Sequence, residues 1–444
     1  MSIFAPINQI NENMISVKSI FIKGFRNVYS TTIDLQDITC LLAPNNYGKS
    51  NILAAIEFGR YFINASAEKK IYMMQMVTAI PVNKSIAGKP FVFRLEGALD
   101  EKRDYQYGYQ FNWFQNNVAG NRIVDGKITG EFFKVRDNTK EKPKFSTIFQ
   151  RDAADKAKYL PSPTGRCDKP LNIEPYELVL NKLSNFDELF YHADLDAVLN
   201  INIQGIDTLS NPDNYFTPQV QVQKGGQRYA ISDWASTYLF SLKQEDKQTY
   251  DYLLSAIQVL LPNIESIEPV MASPKVQVED GVPFTYPDRY DIMVKEINNN
   301  QATRLQFLST GSMKILYLLI CIIRARKKGT QLLYIEELEN SIHPNLMRTL
   351  LTIIAEMKGD TKLLFTSHSP NVAKYLAAPQ LYVGLPSDKG VVDFRTIKPS
   401  KVKSVLQIAG AGDMALGEYL FDLMLDTETD PSLIDFFFVP QKEE

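Results

Sequence analysis

The chain has 444 residues, of which 45% are hydrophobic and 22% are charged, and its formal net charge at pH 7 is -3. This length exceeds what one small hydrophobic core supports and predicts two or more lobes, while the near-neutral charge excludes an overall basic field that would attract DNA or a membrane. The three cysteines, Cys40, Cys167 and Cys321, lie far apart without a Cys-x-x-Cys pair, so neither a zinc knuckle nor a disulfide framework is indicated.

Two features concern the compartment in which the protein works. The N-terminus lacks a basic start followed by an apolar stretch, so no signal peptide is predicted. The longest apolar run, residues 315–323, is too short to span a bilayer. We therefore expect a cytoplasmic protein with no membrane partner.

The first part of the chain is predicted to be rich in β-strands. Residues 16–25 and 31–42 are rich in Ile, Val, Thr and Leu and predict two strands, which are followed by a helix over residues 49–62. Residues 91–99 and 105–113 alternate polar and apolar side chains and carry many aromatics. This pattern predicts an antiparallel pair.

The middle of the chain has a mixed pattern. The charged turn at residues 137–144 is predicted to be a lobe boundary. Beyond it, residues 248–261 predict an amphipathic helix that Pro262 ends, and residues 264–270 and 290–295 predict strands. The absence of a repeat or a sustained heptad pattern excludes a long coiled-coil arm.

From Gln306 onward, helix and strand alternate as a parallel sheet requires. Apolar side chains between residues 416 and 424 recur at the spacing of an amphipathic helix, and residues 434–439 predict a short apolar strand. These last elements are either core, which we favour, or a docking surface. The basic clusters at residues 324–328 and 398–403 are interpreted as a helix C-terminus and solvated faces.

A candidate phosphate-binding loop lies at residues 43–50, Ala-Pro-Asn-Asn-Tyr-Gly-Lys-Ser, between an apolar strand and a helix. In that context, backbone N–H groups and the helix N-terminus bind phosphates, Lys49 reaches the β- and γ-phosphates, and the Ser50 hydroxyl binds Mg²⁺. Ala43 stands where glycine is usual, and its one extra methyl is tolerable unless the position needs a positive φ. The plain alternative is a helix start with a chance Gly-Lys-Ser. The predicted nucleotide-binding residues here are Asn45, Asn46, Gly48, Lys49, Ser50 and Asn51.

A second candidate is a pair of acids after the apolar segment 332–335. A buried strand delivers such residues to the sheet edge at which ligands bind in open α/β sheets. Adjacent residues in a strand point in opposite directions, so the two acids take different roles. We predict that Glu336 holds Mg²⁺, where Asp is more usual, and that Glu337 is the general base for water. The alternative is a solvated strand end.

Two further candidates complete the set. Residues 308–314, Leu-Ser-Thr-Gly-Ser-Met-Lys, form a small-residue loop at a helix N-terminus, which is either a second anion site, with Ser309 and Gly311, or a plain cap by Ser309. Because one chain would then hold two phosphate sites, we expect the second to serve the nucleotide of a partner subunit. His368 follows the buried segment 363–367 and is predicted to bind the γ-phosphate, although a lone strand-end histidine is usually structural.

The order of these four motifs resembles the ABC-type ATPase heads of the SMC, RecF and OLD families. By this resemblance, the residues of the Walker A motif, the signature loop, the Walker B motif and the switch histidine are, respectively, Lys49 and Ser50, Ser309 and Gly311, Glu336 and Glu337, and His368. It implies an ATPase that uses ATP and Mg²⁺ and works as a homodimer of heads or a higher oligomer.

The segment 336–344, Glu-Glu-Leu-Glu-Asn-Ser-Ile-His-Pro, looks especially like OLD-type heads, whose Walker B motif continues into an Asn-x-x-His-Pro segment. In those heads the segment corresponds to the D-loop at the dimer seam. Residues 24–27, Gly-Phe-Arg-Asn, look like the first strand of the family. The resemblance covers about residues 16–115 and 300–385, with Gln75 as a weak candidate for the Q-loop glutamine.

OLD-family nucleases carry a TOPRIM domain after the ATPase, which needs a later Asp-x-Asp for metal. None follows His368, and Asp194-Leu195-Asp196 precedes the signature loop and is interpreted as a chance match. The chain therefore resembles ATPase subunits of bacterial two-component anti-phage systems, in which the ATPase holds and releases a separate nuclease or toxin. Two alternatives stay open: a RecF-like repair ATPase that clamps DNA, and a switch that binds ATP and barely hydrolyses it.

The predicted fold class is α/β, an ABC-type head in four segments. Residues 1–136 form a mixed, β-rich N-terminal ATPase lobe with the Walker A motif, and residues 137–300 form an inserted α+β region. Residues 301–400 form a parallel-sheet C-terminal lobe with the signature loop, the Walker B motif and the switch histidine. Residues 401–444 form a C-terminal helix and tail, either core or a docking element. The predicted enzyme is a slow ATPase.

Overall fold

The computed structural model describes residues 15–116, 123–124, 126–206, 216, 219–222, 228–231, 234–272, 276–279, 282–285, 289–385, 390–425 and 431–440. Within these ranges, no helix has the length and apolar character needed to cross a membrane. The described residues form two compact units. The larger comprises those of Asn11–Gly205, Gly329–Tyr334 and Asp360–Glu444, and the smaller those of Ile206–Lys328 and Ile335–Gly359.

The helices in chain order are α1 (Lys49–Asn64), α2 (Ala67–Met74), α3 (Val179–Leu183), α4 (His192–Leu199), α5 (Trp234–Glu245), α6 (Lys247–Leu260), α7 (Thr310–Lys327), α8 (Pro344–Met357), α9 (Val402–Ala411), α10 (Leu416–Leu425) and α11 (Pro431–Phe437). The strands in chain order are β1 (Ser19–Phe25), β2 (Val28–Asp34), β3 (Ile38–Leu42), β4 (Phe91–Ala98), β5 (Arg103–Phe111), β6 (Gln115–Asn116), β7 (Ile123–Val124), β8 (Ile128–Asp137), β9 (Phe145–Arg151), β10 (Lys156–Tyr159), β11 (Lys169–Asn172), β12 (Ile203–Ile206), β13 (Gln219–Val222), β14 (Arg228–Ile231), β15 (Ile264–Ala272), β16 (Val276–Glu279), β17 (Val282–Thr285), β18 (Arg289–Glu296), β19 (Thr303–Arg304), β20 (Leu332–Ile335), β21 (Lys362–Ser367), β22 (Leu381–Gly384) and β23 (Phe394–Arg395).

An eight-stranded sheet in the order β11-β10-β9-β8-β5-β4-β1-β2 dominates the larger unit. The predicted antiparallel pair is confirmed, because β4 and β5 pair with Phe91 opposite Phe111. The single strand predicted over residues 31–42 is wrong. A turn separates β2 from β3, the Gln36 N–H donates to Thr39 Oγ1 at 3.0 Å, and the two strands belong to different sheets.

The turn at residues 138–144, predicted to be a lobe boundary, connects β8 to β9. These strands are antiparallel neighbours in the eight-stranded sheet, which continues to β11. The sheet therefore runs across this turn. The four-segment division of the chain stays a prediction.

Aromatic side chains form the core between this sheet and α1. Phe62 of α1 stacks on Tyr109 and Phe111 of β5, with ring centroids 5.0 and 4.8 Å apart. Aromatic pairs at such distances contribute about 0.5–1.5 kcal/mol each beyond the area that they bury. The close approach depends on Gly59, since a Cβ there would lie 2.3 Å from the Phe93 ring, and the Gly59 carbonyl accepts a hydrogen bond from the Tyr109 hydroxyl at 2.8 Å.

A second sheet has the order β12-β20-β21-β3-β22-β23. β3 is parallel to both β21 and β22. The parallel sheet was predicted only from Gln306 onward, and the participation of β3 from the N-terminal segment was not predicted. All five residues of β3 are buried, as are all four of β22. Such continuous burial on both faces is typical of a parallel strand covered on each side.

In the smaller unit, α5 and α6 form a helical pair beside the antiparallel strands β15 and β18. The predicted helix over 248–261 and the strands near 264 and 290 are thus observed. The Asp246 side chain caps α6 by accepting from the Thr249 N–H at 3.0 Å. The Arg324 guanidinium lies over the Trp234 ring, 4.2 Å from its centroid. Basic residues fill the last turn of α7, as predicted for its C-terminus.

The end of the chain differs from its prediction. Residues 434–439 were expected to form a strand, but α11 covers most of this segment, and only Phe438 makes an isolated bridge, with Ile397. The helix begins at Pro431, a position where the missing N–H of proline costs nothing. Phe437 and Phe438 are buried while Phe436 is exposed, which is a helical rather than an alternating pattern. The predicted helix near 416–424 is observed as α10.

Candidate functional site

The loop between β3 and α1, the candidate phosphate-binding loop, contains two residues with a left-handed backbone. Asn46 and Gly48 have φ angles of 69° and 83°, in the left-handed region that asparagine and glycine tolerate best. The Lys49 ammonium crosses the loop and donates to the carbonyls of Ala43 and Pro44, at 2.7 and 2.8 Å. These two short hydrogen bonds hold the buried Lys49 ammonium, the only cation of residues 43–50, within the loop.

The other predicted residues of this loop divide into two groups. Asn45, Asn46 and Ser50 are exposed beside the N-terminus of α1. The Asn51 side chain instead contacts two other side chains, because its Nδ2 donates to Asn27 Oδ1 at 2.6 Å and its Oδ1 accepts from Arg26 Nη1 at 2.8 Å. We had predicted Asn51 as a nucleotide ligand; its contacts in the structure are to the turn after β1. The segment 24–27 was noted only as a strand.

Ala43 occupies the first position of the loop without strain. It is absent from the described non-glycine residues with positive φ, and its side chain is fully buried. A Cβ added to Gly384 of β22 would lie 2.7 Å from the Ala43 Cβ. The glycine in β22 therefore makes room for the methyl group that stands where a loop of this type usually has none.

His368 lies next to the start of the same loop. It follows β21 directly and is half-buried, and the Ala43 N–H donates to the carbonyl of the preceding Ser367 at 3.2 Å. Within the larger unit, the structure thus brings together the candidate phosphate loop and the predicted switch histidine. The role of His368 stays a prediction.

The C-terminal helix α10 contacts both of these segments, which the sequence did not indicate. The Tyr47 hydroxyl donates to the Met424 carbonyl at 2.5 Å. Gly417 packs so closely on the segment after His368 that a Cβ would lie 1.9 Å from the Pro370 carbonyl oxygen. The one local sign in the sequence is Gly417, which lacks a side chain and so permits close packing. Residues of α10 therefore border the candidate nucleotide site in the larger unit.

In the smaller unit, the small-residue loop begins α7 as predicted. Ser309 is the N-cap, and its Oγ accepts from the Ser312 N–H at 3.2 Å. Ser309 is exposed. A Cβ added to Gly311 would lie 2.5 Å from the Ser341 carbonyl oxygen, so any side chain there would push the loop away from the turn that follows β20. The cap is observed, and an anion-binding role remains a prediction.

The two acids lie beyond the strand that precedes them. β20 ends at Ile335, so the alternation of a strand does not govern Glu336 and Glu337, and our reason for giving them opposite directions is wrong. Both side chains are half-buried, and Glu337 has a φ of 48°. A bulky residue rarely adopts this conformation, which marks the turn as a candidate functional element.

Lys314 is a residue of this region that the sequence analysis missed. Its ammonium donates to the carbonyls of Glu337 and Asn340, at 3.0 and 2.7 Å, and the side chain is 1% exposed. Burial lowers the pKa of Lys314 to about 8, against the opposing effect of the nearby carboxylates of Glu339 and Glu337. The signal was available, since Lys314 is the one charged residue between Thr310 and Ile323.

Other predicted features have structural positions of their own. His343 is the N-cap of α8, where its Nδ1 accepts from the Asn345 N–H at 3.3 Å. Gln75 is an exposed residue at the end of α2. Asp194 makes an ion pair with Arg103 at 2.8 Å, and burial raises its pKa. In the described ranges, no cluster of three or more His, Cys, Asp or Glu side chains has the geometry to hold a metal ion.

Comparison with known proteins gives one family match. A family model described as an AAA ATPase domain matches residues 16–373. Among solved structures, the SMC head domain from Thermotoga maritima aligns over 86% of this chain and 99% of its own, with 11% identity and a TM-score of 0.43. An SmcHead bound to the C-winged helix domain of ScpA aligns over 88% and 99%, with 13% identity and a TM-score of 0.44. An Smc head domain with an extended coiled coil, bound to a C-terminal ScpA domain derived from Pyrococcus furiosus, aligns over 89% and 100%, with 11% identity and a TM-score of 0.39. No curated protein matches significantly.

Proposed function

Because the chain belongs to the AAA ATPase domain family, we propose that it binds ATP with Mg²⁺ and hydrolyses it slowly, in an ABC-type arrangement shared between two copies. The observation that carries this proposal is the loop between β3 and α1. Its lysine is buried against two loop carbonyls, and its first residue is hydrogen-bonded to the strand end that precedes His368. A bound phosphate would replace these carbonyls as the hydrogen-bond acceptor of the Lys49 ammonium.

The residues near the metal and the water have distinct proposed roles. Ser50 and Glu336 supply the oxygen atoms that Mg²⁺ prefers, and the ion would supply charge neutralisation at the phosphates. Glu337 accepts a proton from the attacking water, and His368 binds the γ-phosphate. The exposed Ser50 hydroxyl and the half-buried Glu336 and Glu337 carboxylates fit these tasks.

The loop at Ser309 and Gly311 is proposed to bind the γ-phosphate of the nucleotide held by a partner copy. The support is the exposed Ser309 cap at the N-terminus of an 18-residue helix, where backbone N–H groups and the helix dipole favour an anion. Each site would take Lys49 and Glu337 from one chain and Ser309 from the other.

The biological role that we propose is regulation of a separate nuclease or toxin in an anti-phage module. The support is the Asn-x-x-His-Pro segment at residues 340–344, which resembles that of OLD-type heads. Cells that carry the chain with its neighbouring gene should restrict phage, and Lys49→Ala should abolish the restriction. Equal restriction by Lys49→Ala cells would contradict a role that depends on ATP.

A mixing experiment tests the shared site. Lys49→Ala removes the loop cation, and Ser309→Arg places a bulky cation at the loop that would face the partner's nucleotide. Each variant alone should lack ATPase activity. In a mixed dimer, one site receives both defects and the other receives neither, so mixing should restore up to half of the wild-type activity per mixed dimer, measured as phosphate release.

Three outcomes would count against the proposal. Unchanged ATP affinity of Lys49→Ala would reject the loop assignment. Normal hydrolysis by Ser309→Arg alone would show that the loop at Ser309 only caps α7 and does not bind nucleotide. No restoration on mixing, although mixed dimers form, would reject independent shared sites.

A further inference from the structure

The apolar helix α7 contains a buried cation that binds the turn after β20. The Lys314 ammonium donates to the carbonyls of Glu337 and Asn340, and 1% of the residue is exposed. Burying an ammonium group costs free energy unless it is hydrogen-bonded, so these two carbonyls are required partners. The contact thus fixes the backbone of the residue that we propose as the general base.

The turn that Lys314 binds is unusual in its backbone. Glu337 and Ser341 both have left-handed conformations, with φ angles of 48° and 61°. Residues other than glycine keep such angles only where their surroundings hold them. Lys314 contacts the turn at Glu337 and Asn340, and Gly311 contacts it at Ser341. Two points of α7 therefore hold the turn in place.

We propose that Lys314 is a positioning residue for ATP hydrolysis, which holds the Glu337 backbone of its own chain in the orientation that the base needs. The inference rests on the proposed function. The contacts indicate that Lys314 acts on the turn and not on the Ser309 loop. Its hydrogen bonds to Glu337 and Asn340 reach the turn, whereas the Ser309 loop is held by its own cap bond from Ser312. Loss of Lys314 should therefore impair the site that holds its own chain's nucleotide, not the partner's.

The first experiment compares two buried lysines. Lys70 in α2 is 2% exposed, donates to the Ala65 carbonyl and to Asn181 Oδ1, and has its pKa lowered by burial to about 8, like Lys314. Lys70→Met is therefore the matched control for Lys314→Met. We expect Lys314→Met to lower kcat at least about tenfold with ATP affinity unchanged within about twofold, and Lys70→Met to leave kcat unchanged. Lys314→Arg, which keeps the donors, should recover part of kcat.

Unchanged kcat in folded Lys314→Met, or an equal loss in Lys70→Met, would overturn the proposal. If circular dichroism shows that Lys314→Met is unfolded, Lys314→Gln replaces it in every comparison. Glutamine is shorter and reaches only one of the two carbonyls, so the same direction of change is expected.

The second experiment separates the two directions of action. Mixed with Ser309→Arg, Lys314→Met should regain activity, because both defects fall on one site. Mixed with Lys49→Ala, it should regain none, because each site then has one defect. The reverse pattern would show that Lys314 serves the Ser309 loop and would overturn the proposal. The Lys49→Ala and Ser309→Arg mixture is the control: if it restores nothing although mixed dimers form, independent shared sites are rejected, and the kcat comparison with Lys70→Met still decides whether Lys314 positions the base.

Discussion

Glu131 is a buried carboxylate far in sequence from the residues that it binds. It is 2% exposed, and its two oxygens accept the N–H groups of Val179 and Leu180, at 2.6 and 3.0 Å, and the Tyr107 hydroxyl at 3.2 Å. It thereby caps the N-terminus of α3 from β8. Burial raises the pKa of Glu131 from 4.5 to about 7, although the hydrogen bonds from Leu180 and Val179 lower it.

This carboxylate should make the stability of the protein depend on pH. Because its folded-state pKa lies above the unfolded value, its contribution is fully present below about pH 4.5 and is lost as pH rises through about 7. Between pH 5.5 and 8, the free energy of unfolding, obtained from thermal unfolding, should therefore fall less with rising pH in Glu131→Gln than in the wild type. The difference should be on the order of 1 kcal/mol or more.

The exposed Glu96 of β4 provides the matched control. Glu96→Gln should keep the wild-type slope of melting temperature against pH. Parallel slopes for Glu131→Gln and wild type would contradict the assignment of the effect to Glu131.

For individual residues of the candidate site, the sequence allows a prediction where the relevant contacts are between neighbours in sequence. The Gly-Lys-Ser loop was recognised because strand, loop and helix are contiguous. Lys314 is visible in the sequence as the one charge in an apolar segment, but its partners could not be inferred, because they lie 23 and 26 positions away and are carbonyls, which every residue has. The hydrogen bonds of the Asn51 side chain likewise reach Arg26 and Asn27 in the turn after β1, 25 and 24 positions away.

At the scale of elements, the packing of α10 includes one very close backbone contact. Gly417 meets the backbone of Pro370, which cannot rotate away as a flexible side chain can. We expect Gly417→Ala to displace α10, with a loss of about 1–3 kcal/mol in the free energy of unfolding, measured by urea denaturation, and faster chymotrypsin cleavage at Tyr419 or Phe421.

The neighbouring helix α9 offers the control. A Cβ added to the exposed Gly410 meets nothing within 4 Å. Gly410→Ala should be neutral or stabilise the protein by about 0.4–1 kcal/mol. Equal stability of the two alanine variants would show that α10 does not depend on its contact with Pro370.

Strands and helices were predictable where local pattern and tertiary environment agree. Alternating aromatics identified β4 and β5 because one face of that sheet is buried against α1. The segment 434–439 has the composition of a strand, yet among the described residues its observed pairing is the isolated bridge between Phe438 and Ile397, and a helix covers most of it instead. The break between β2 and β3 was not predicted, because the turn contains the buried apolar residue Leu35 and so resembles a strand in sequence.

For the whole molecule, the proposed function predicts assembly that depends on ATP. Glu337→Gln removes the proposed base but leaves the phosphate loop intact, so ATP should accumulate and hold two copies together. Mass photometry should show a species of twice the chain's mass for Glu337→Gln with ATP and Mg²⁺, in at least about tenfold excess over the same variant with ADP.

The double variant Lys49→Ala with Glu337→Gln should stay at its nucleotide-free distribution of masses, because it lacks the loop cation. If Glu337→Gln hydrolyses ATP at the wild-type rate, Glu337 is not the general base, and Glu336 is the first residue to test in that role. At this scale the sequence predicted least: the order of eight strands across residues 19–172 depends on pairings between segments that no local pattern specifies.

The contact between Ala43 and Gly384 restricts the order in which this protein could change over evolution. Ala43→Gly as a first step would leave a gap of one methyl group, at a cost of about 1 kcal/mol. Gly384→Ala as a first step would force two methyl carbons to 2.7 Å. Descent from a loop with glycine at position 43 would therefore need a glycine in β22 beforehand. Any lineage with larger side chains at position 384 is barred from acquiring alanine in its loop by a single substitution.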